Sequence, residues 1–424
     1  FWLKTQAGLP ATKPLQQPRA RTRPKMRFAM PLLAATAAAA AAPPAPSFDE
    51  FCAKFHKFYP SEEYAQRRAL FEERVAQHER WNQRPGSTWT AGVGPLTDLF
   101  PHELQKRFGY NKAMRQPRSS PGAALTALAA QPPEGVPSAG GPPAGTPAAK
   151  PSPARVDWRE KSPSVVSPVK DQLGCGSCWA FAAVSAIESH VAIETGVLMD
   201  LSPQQLNSCT ENPRQCGGSG GCTGAVAQLA FNYTIHNGGV ASIWTAPYSS
   251  GISGSTEACA SPWSYPPAAS ITGYEELPAN DAQALMEAVA TVGPVVVNVD
   301  ASGWYMYQGG IYDACNKTHP ITNHAVVLVG YGQENGVKYW LIRNSWGTQF
   351  GENGYMRLRR YDDEPCGVDT YPQYGTGCAG GAAEMVVCGE CGVLSDSTYP
   401  TGGRVGGAPG GARRRLEASA PLHV

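Results

Sequence analysis

Apolar side chains recur along this chain with two different periods, and the change from one to the other divides it. Over residues 48–112, aromatic and apolar positions follow helical spacing among charged ones: Phe51, Phe55 and Phe58, then Tyr64, Phe71 and Val75, with Arg67, Arg74, His78 and Asn82 interleaved. This pattern predicts two helices broken near Pro60-Ser61, with Ser61 as the cap of the second. Asp98-Leu-Phe-Pro-His-Glu103 suits a turn into a short helix. A more apolar helix is predicted from Trp179 to Glu194, where Ala180, Ala183, Val184, Ile187 and Val191 recur at its period. Further on, β-branched runs take over at Gly293-Pro-Val-Val-Val-Asn-Val-Asp300 and Ala325-Val-Val-Leu-Val-Gly-Tyr-Gly332, and Lys338–Arg343 and Gly354–Arg359 alternate faces. Helices first and strands afterwards predict an α+β fold over residues 155–372, two-lobed with a cleft between the lobes.

Other stretches carry no such period. Residues 1–25 hold six Lys/Arg and no acid, and read as an upstream translated piece or a disordered end. Residues 26–45 have a basic start, a short apolar run and an alanine tract, the layout of a secretory signal peptide and too short for a membrane span. Residues 116–154 are Pro, Ala, Gly and Ser with almost no charge, and predict a flexible linker open to proteolysis. Residues 373–424 read as a Cys/Gly-rich tail, weakly ordered after about Pro400.

Composition narrows the class. The net charge of +1 gives no reason to expect nucleic acid, and no run after the signal-like segment would anchor the chain in a membrane. Eleven of the 12 cysteines follow residue 170, which points to an oxidising compartment.

Cys178 falls where the Gly-rich turn Gln172-Leu-Gly-Cys-Gly-Ser-Cys-Trp-Ala-Phe181 becomes a helix. A helix N-terminus favours a thiolate over a thiol, so this cysteine suits a nucleophile, although a structural cysteine fits equally well. A thiol nucleophile needs a base, and the base an orienting group. Among the histidines after residue 155, His324 alone immediately precedes a strong strand, and Asn344 ends the next one in Arg343-Asn-Ser-Trp-Gly347. An Asn amide can fix an imidazole tautomer without burying charge, and Trp346 could shield that bond from water. Cys175-Gly-Ser-Cys178 is also a redox dithiol pattern, so a thiol–disulfide oxidoreductase stays open, as does an inactive homologue.

These pieces together resemble the papain-like cysteine peptidases of the cathepsin L type: Gln172 with Cys175-Gly-Ser-Cys-Trp-Ala-Phe181, then Asn323-His324-Ala325 with Gly330-Tyr-Gly332, then Asn344-Ser-Trp-Gly347, in that order. The resemblance implies Cys178 as nucleophile in a thiolate–imidazolium pair with His324, Asn344 orienting the ring, and the Gln172 amide with the Cys178 backbone N–H as oxyanion hole. It extends upstream. Glu63, Arg67, Phe71 and Asn82 match the helix motif of an inhibitory propeptide, from which Arg74 and His78 depart. Gly92 and Asp98 match a second propeptide motif, in which Gly94 and Leu96 replace the usual residues. Residues 48–115 would thus inhibit the cleft until the linker is cut.

By the same resemblance, Gly224, Ala225, Val226, Ala227, Asn298, Thr322, Trp346 and Tyr371 line or border substrate. None is charged, so an apolar or aromatic residue is expected second before the scissile bond (P2). The implied disulfides are Cys175–Cys222, Cys209–Cys259 and Cys315–Cys366. That leaves Cys216, Cys378, Cys388 and Cys391, and a staple from the tail to the body through Cys216 is expected; zinc held by Cys388 and Cys391 is disfavoured for want of a second ligand pair. No His-rich loop blocks the primed end of the cleft, which favours an endopeptidase over a carboxypeptidase. The expected protein is a monomer without cofactor or metal, acting on proteins and peptides and inhibited by its own propeptide. Its expected route is secretory, ending in a lysosome or vacuole or outside the cell, and the sequons at Asn232 and Asn316 fit that route.

Overall fold

The computed structural model describes residues 45–109, 152–260 and 265–407. The signal-like segment 26–44, the linker 116–151, residues 1–25 and residues 408–424 lie outside the described residues. In chain order the elements are α1 (Phe48–Phe55), α2 (Ser61–Asn82), β1 (Trp89–Ala91), α3 (Pro101–Gln105), β2 (Val156–Asp157), α4 (Cys178–Thr195), α5 (Pro203–Cys209), α6 (Ala227–His236), α7 (Ser250–Ser253), β3 (Ala269–Ser270), β4 (Gly273–Glu276), α8 (Ala282–Thr291), β5 (Val295–Val299), β6 (Tyr307–Tyr312), β7 (His324–Glu334), β8 (Val337–Arg343), β9 (Tyr355–Arg359), β10 (Cys366–Asp369), β11 (Met385–Cys388), β12 (Ser397–Thr401) and β13 (Arg404–Val405). Among the described residues, no helix is long and apolar enough to cross a membrane.

β7 divides the molecule. Successive side chains of a strand point to opposite faces. Accordingly Ala325, Val327 and Val329 pack into one core with α4, α5 and α6, while Val326, Leu328 and Tyr331 pack into a second with Trp304, Trp340 and Met356. These cores are the interiors of a helical lobe and a sheet lobe. The helical lobe is built on α4, whose residues Cys178 to Ala192 are all buried, so it carries apolar side chains on every face. Its one buried acid, Glu188, is fully enclosed and satisfied by Ser167, by Lys170 at 2.8 Å and by the Leu201 N–H.

The pro-region folds on its own aromatic cluster of Phe48, Phe51 and Phe71. Arg67 ties it together: its guanidinium reaches Glu63 at 2.7 Å, Glu103 at 2.6 Å and the Asp98 carbonyl at 3.0 Å, and lies over Tyr59 and Phe100. Asn82 exchanges two 2.8 Å hydrogen bonds with the Ala91 backbone. That holds β1 as an edge strand antiparallel to β6, which completes the main sheet. α2 begins at Ser61, but Pro60 takes the cap position and no side chain caps the helix. The first helical residue's N–H needs no partner, so a serine there is tolerated without capping.

Two expectations about the C-terminal part are corrected. Residues 373–407 are not a loose tail, because β12 pairs with both β5 and β4 inside the sheet and β13 pairs with β3. The pairing Cys315–Cys366 is replaced by Cys315–Cys391 and Cys366–Cys388. The reason is register: β10 and β11 form an antiparallel ladder in which Cys366 lies opposite Cys388. Cys391, just before the run into β12, is left for Cys315. Cys175–Cys222 and Cys209–Cys259 form, and Cys216 bridges to Cys378. Cys388 and Cys391, weighed above as zinc ligands, are both consumed in bridges.

Candidate active site

Cys178 is the first residue of α4, which brings the positive end of that helix against its sulfur. It is unpaired and 3% exposed. Cys175 is bridged to Cys222, so the Cys175/Cys178 pair is not a dithiol. Across the cleft, His324 opens β7 and Asn344 follows β8, and pairing of those two strands sets the asparagine beside the ring. Asn344 Oδ1 lies 2.8 Å from His324 Nε2, so that nitrogen carries the proton and the carbonyl oxygen accepts it. The other nitrogen, Nδ1, is buried and has no hydrogen-bond partner. Trp346 lies over the ring at 4.9 Å between centroids, and Trp304 meets it edge-on at 6.2 Å. Trp346 therefore covers the His324–Asn344 bond.

Gln172 is fully buried. Its Oε1 accepts from Ser345 Oγ at 2.7 Å, which fixes the amide, and its Nε2 donates to the carbonyls of Cys175 and of pro-region residue Arg107, at 2.9 and 3.0 Å. A carbonyl of the pro-region thus occupies the Gln172 amide donor. The rest of the plug follows. Arg107 pairs with Asp171 at 2.8 Å, Phe108 packs on Trp346 and His324, and the Gly109 N–H donates to the Asn323 carbonyl at 3.1 Å. A side chain at Gly109 would meet Cys178 Sγ at 3.5 Å, so the pro-chain passes directly over the sulfur.

This covering sets the protonation states. Burial pushes the Cys178 thiol up, against hydrogen bonds from the backbone of Ala325 and Gly109. Burial pushes His324 down to about 4, against the Asn344 bond and assisted by the Arg107 charge. Both shifts favour neutral groups. With the cleft covered, the two groups are therefore held as a thiol and an imidazole and not as the ion pair expected from the sequence.

The substrate-side residues divide. Gly224 has φ +97°, and a Cβ there would collide with the Gly109 carbonyl, so it lies against whatever occupies the cleft. Ala225 keeps negative φ, so its backbone is free of the strain that replacing a glycine could bring. Val226, Ala227, Asn298 and Thr322 are buried nearby. Tyr371 stands apart, 43% exposed and stacked on Tyr374. One carboxylate beside Asn298 was missed in the sequence. The Asp396 carboxylate accepts from Gln228 Nε2 at 2.9 Å and Asn298 Nδ2 at 2.8 Å, and burial raises it to about 6. The β12 pattern Ser397-Thr-Tyr-Pro-Thr401 could have drawn Asp396 into the body, had the domain not been ended at residue 372.

Comparison with known proteins agrees with this geometry. The description "Papain family cysteine protease" matches residues 152–376, and "Cathepsin propeptide inhibitor domain (I29)" matches residues 48–104. Cathepsin S of Mus musculus is 37% identical over 289 residues, covering 68% of this chain and 76% of that protein. Cathepsin L of Sarcophaga peregrina is 34% identical over 308 residues, covering 72% and 83%. Among solved structures, digestive procathepsin L 3 of Tenebrio molitor larval midgut aligns with a TM-score of 0.60 at 28% identity, covering 84% of this chain and 97% of that one.

Proposed function

This chain belongs to the papain family of cysteine proteases, as an endopeptidase zymogen with its propeptide inhibitor domain, and from that premise we propose that Cys178 is its nucleophile and His324 its base. The observation that carries the assignment is the His324 ring, fixed by Asn344 through Nε2 with Nδ1 left unpartnered. Once the pro-chain leaves, water enters and the two shifts relax. The Cys178 proton passes to Nδ1, and the thiolate attacks the scissile carbonyl. The resulting oxyanion accepts from Gln172 Nε2 and the Cys178 N–H. The C–N bond breaks as the imidazolium returns its proton to the leaving amine. Water, deprotonated by the same ring, then hydrolyses the thioester and restores the thiol.

Iodoacetamide at acidic pH tests this in the full chain. The closed zymogen is expected to resist alkylation. The processed protein is expected to lose hydrolysis as Cys178 is modified, and Cys178→Ala to fold but not hydrolyse. Hydrolysis persisting in Cys178→Ala would sink the assignment. Gln172→Ala is expected to lower kcat on the order of 10²–10³-fold.

At P2, the apolar wall of Val226, Ala227 and Thr322 supports a preference for apolar side chains. Asp396 modifies it. Below about pH 6 its carboxyl is neutral and the apolar preference stands; above that it is charged and attracts Lys or Arg. A P2 library profiled at pH 5 and pH 7 should show basic residues gaining only at the higher pH, and Asp396→Asn should remove the gain.

Five disulfides fit folding in the secretory pathway. Of the two sequons, Asn316 and Thr318 are exposed, whereas Thr234 is fully buried. A lysosomal, vacuolar or extracellular destination follows from that route.

A further inference from the structure

Between β9 and β12 the chain leaves the body, forms the β10–β11 ladder and sends a loop from one lobe to the other. On the sheet-lobe side, the buried Asp369 carboxylate accepts from Thr322 N and Oγ1 at 3.0 and 2.7 Å. Gly375 lies so close to Thr322 that a Cβ would meet its carbonyl oxygen at 2.3 Å. On the helical-lobe side, Gly217 N donates to the Gly377 carbonyl at 2.9 Å, Ala379 N to the Arg214 carbonyl at 2.9 Å, and Cys378 is bonded to Cys216. The loop is a firm turn, because the N–H groups of Gly375, Thr376 and Gly377 all converge on the Pro372 carbonyl.

The anchor lies against the substrate strand's own contacts. A Cβ on Gly217 would meet the Ala225 carbonyl at 3.0 Å. A Cβ on Gly224 would meet the Gly217 carbonyl at 2.3 Å and the pro-chain's Gly109 carbonyl at 1.8 Å. The loop's attachment is therefore the immediate neighbour of the path the pro-chain takes. Gly375 reaches both walls, since its carbonyl oxygen lies 2.6 Å from where a Cβ on Gly217 would stand, and the next anchor, Gly377, is two residues on, which span at most about 7 Å. An extended peptide needs about 4.8 Å to a neighbouring strand on each side. At that point the loop fills the gap that a substrate chain would fill.

We propose that residues 372–379 are a covalently pinned strap across the non-primed end of the cleft, and that it makes this endopeptidase cut bonds with only a few residues upstream more readily than bonds deep within a chain. With the loop in that gap, little room remains for chain upstream of the P2 residue. Its substrate class is therefore short peptides and accessible N-terminal ends of proteins. The proposal rests on the assignment of Cys178, His324 and Gln172 above.

The test uses the full chain, expressed as the zymogen and processed, with fluorogenic peptides that share the two residues before the scissile bond. One peptide ends there in a free amine, and the others carry one, two or four further residues upstream. Wild type is expected to lose about tenfold in kcat/KM on extension by two residues, the size of effect a steric contact at a subsite commonly produces. Two variants open the strap by different means: Cys216→Ser with Cys378→Ser cuts the pin, and Gly375→Ala pushes the loop off Thr322 with the disulfide intact. Each is expected to bring extended and short peptides within about threefold of each other. Equal hydrolysis of short and extended peptides by wild type overturns the strap without any variant. A length penalty unchanged in both variants overturns it as well. If no peptide is cut, the peptidase assignment falls and the strap's role with it, and uncut short peptides distinguish that outcome from the others.

Discussion

Two pieces of chain cover the same cleft, and they are held there by different physics. Residues 105–109 of the pro-region lie over Cys178 through the Arg107–Asp171 ion pair, two backbone contacts and the Phe108 ring, all of which water can replace. Residues 372–379 are held by a covalent bond between Cys216 and Cys378 and by a carboxylate buried against Thr322. The first covering is reversible and is built on a small separate core rich in paired charge. The second is permanent and belongs to the mature fold. A cleft covered in both ways can be inhibited as a whole by one and shaped in part by the other.

Breaking the first covering should produce the largest effect. Arg67 is buried and holds three elements of the pro-region, so Arg67→Ala leaves Glu103 and the Asp98 carbonyl without their partner. A loss of about 3 kcal/mol in pro-region stability is expected, seen as faster autoprocessing at neutral pH with the mature enzyme's kcat unchanged. An unaltered processing rate would mean that inhibition does not depend on the folded pro-region.

His78 should give the next effect, through pH. It is 3% exposed, neither ring nitrogen has a partner, and burial with the nearby Arg74 charge lowers it to about 4. Its folded pKa lies below the ordinary value, so the unfolded chain binds the extra proton between about pH 6.5 and 4. Stability from keeping His78 neutral is complete above pH 6.5 and is lost as pH falls through 4. His78→Leu should flatten that decline and slow acid activation; thermal unfolding of the zymogen at pH 4.5 and 7 measures it. A smaller effect is expected at the edge strand. Gly310 has φ +91° and abuts Trp89 of β1, so Gly310→Ala should loosen the pro-region by about 1 kcal/mol while leaving hydrolysis by the processed enzyme intact. Inhibition of that variant by added pro-region peptide, compared with wild type, reads the difference.

The two coverings also differ in how legible they were. The pro-region helices and the strands β5, β7, β8 and β9 follow directly from periodicity, since each buries one face or both against a core. Cys178, His324 and Asn344 could be picked out because each stands at the end of an element that the pattern already marks, whereas Gln172, in a loop, came only through the family resemblance. The strap could not, because residues 370–384 are Gly-rich turns with no period, and their fixing depends on partners distant in the chain, Thr322 on one side and Arg214, Cys216 and Gly217 on the other. The pairing of Cys315 failed for the same reason: it has two chemically identical candidates, and only the β10–β11 register decides between them. Asp396 was lost with them, because its carboxylate is brought to Asn298 only by the pairing of the following strand, β12, with β5.

The arrangement of β7 carries one further consequence. A single ribbon serves as party wall to both interiors, and the His324 imidazole is mounted on its leading end. Any prying apart of the halves must tilt that ribbon, so the spacing of sulfur and nitrogen is tied to how tightly the molecule is shut. Reactivity toward a small electrophile is then a gauge of closure, readable without any peptide bound.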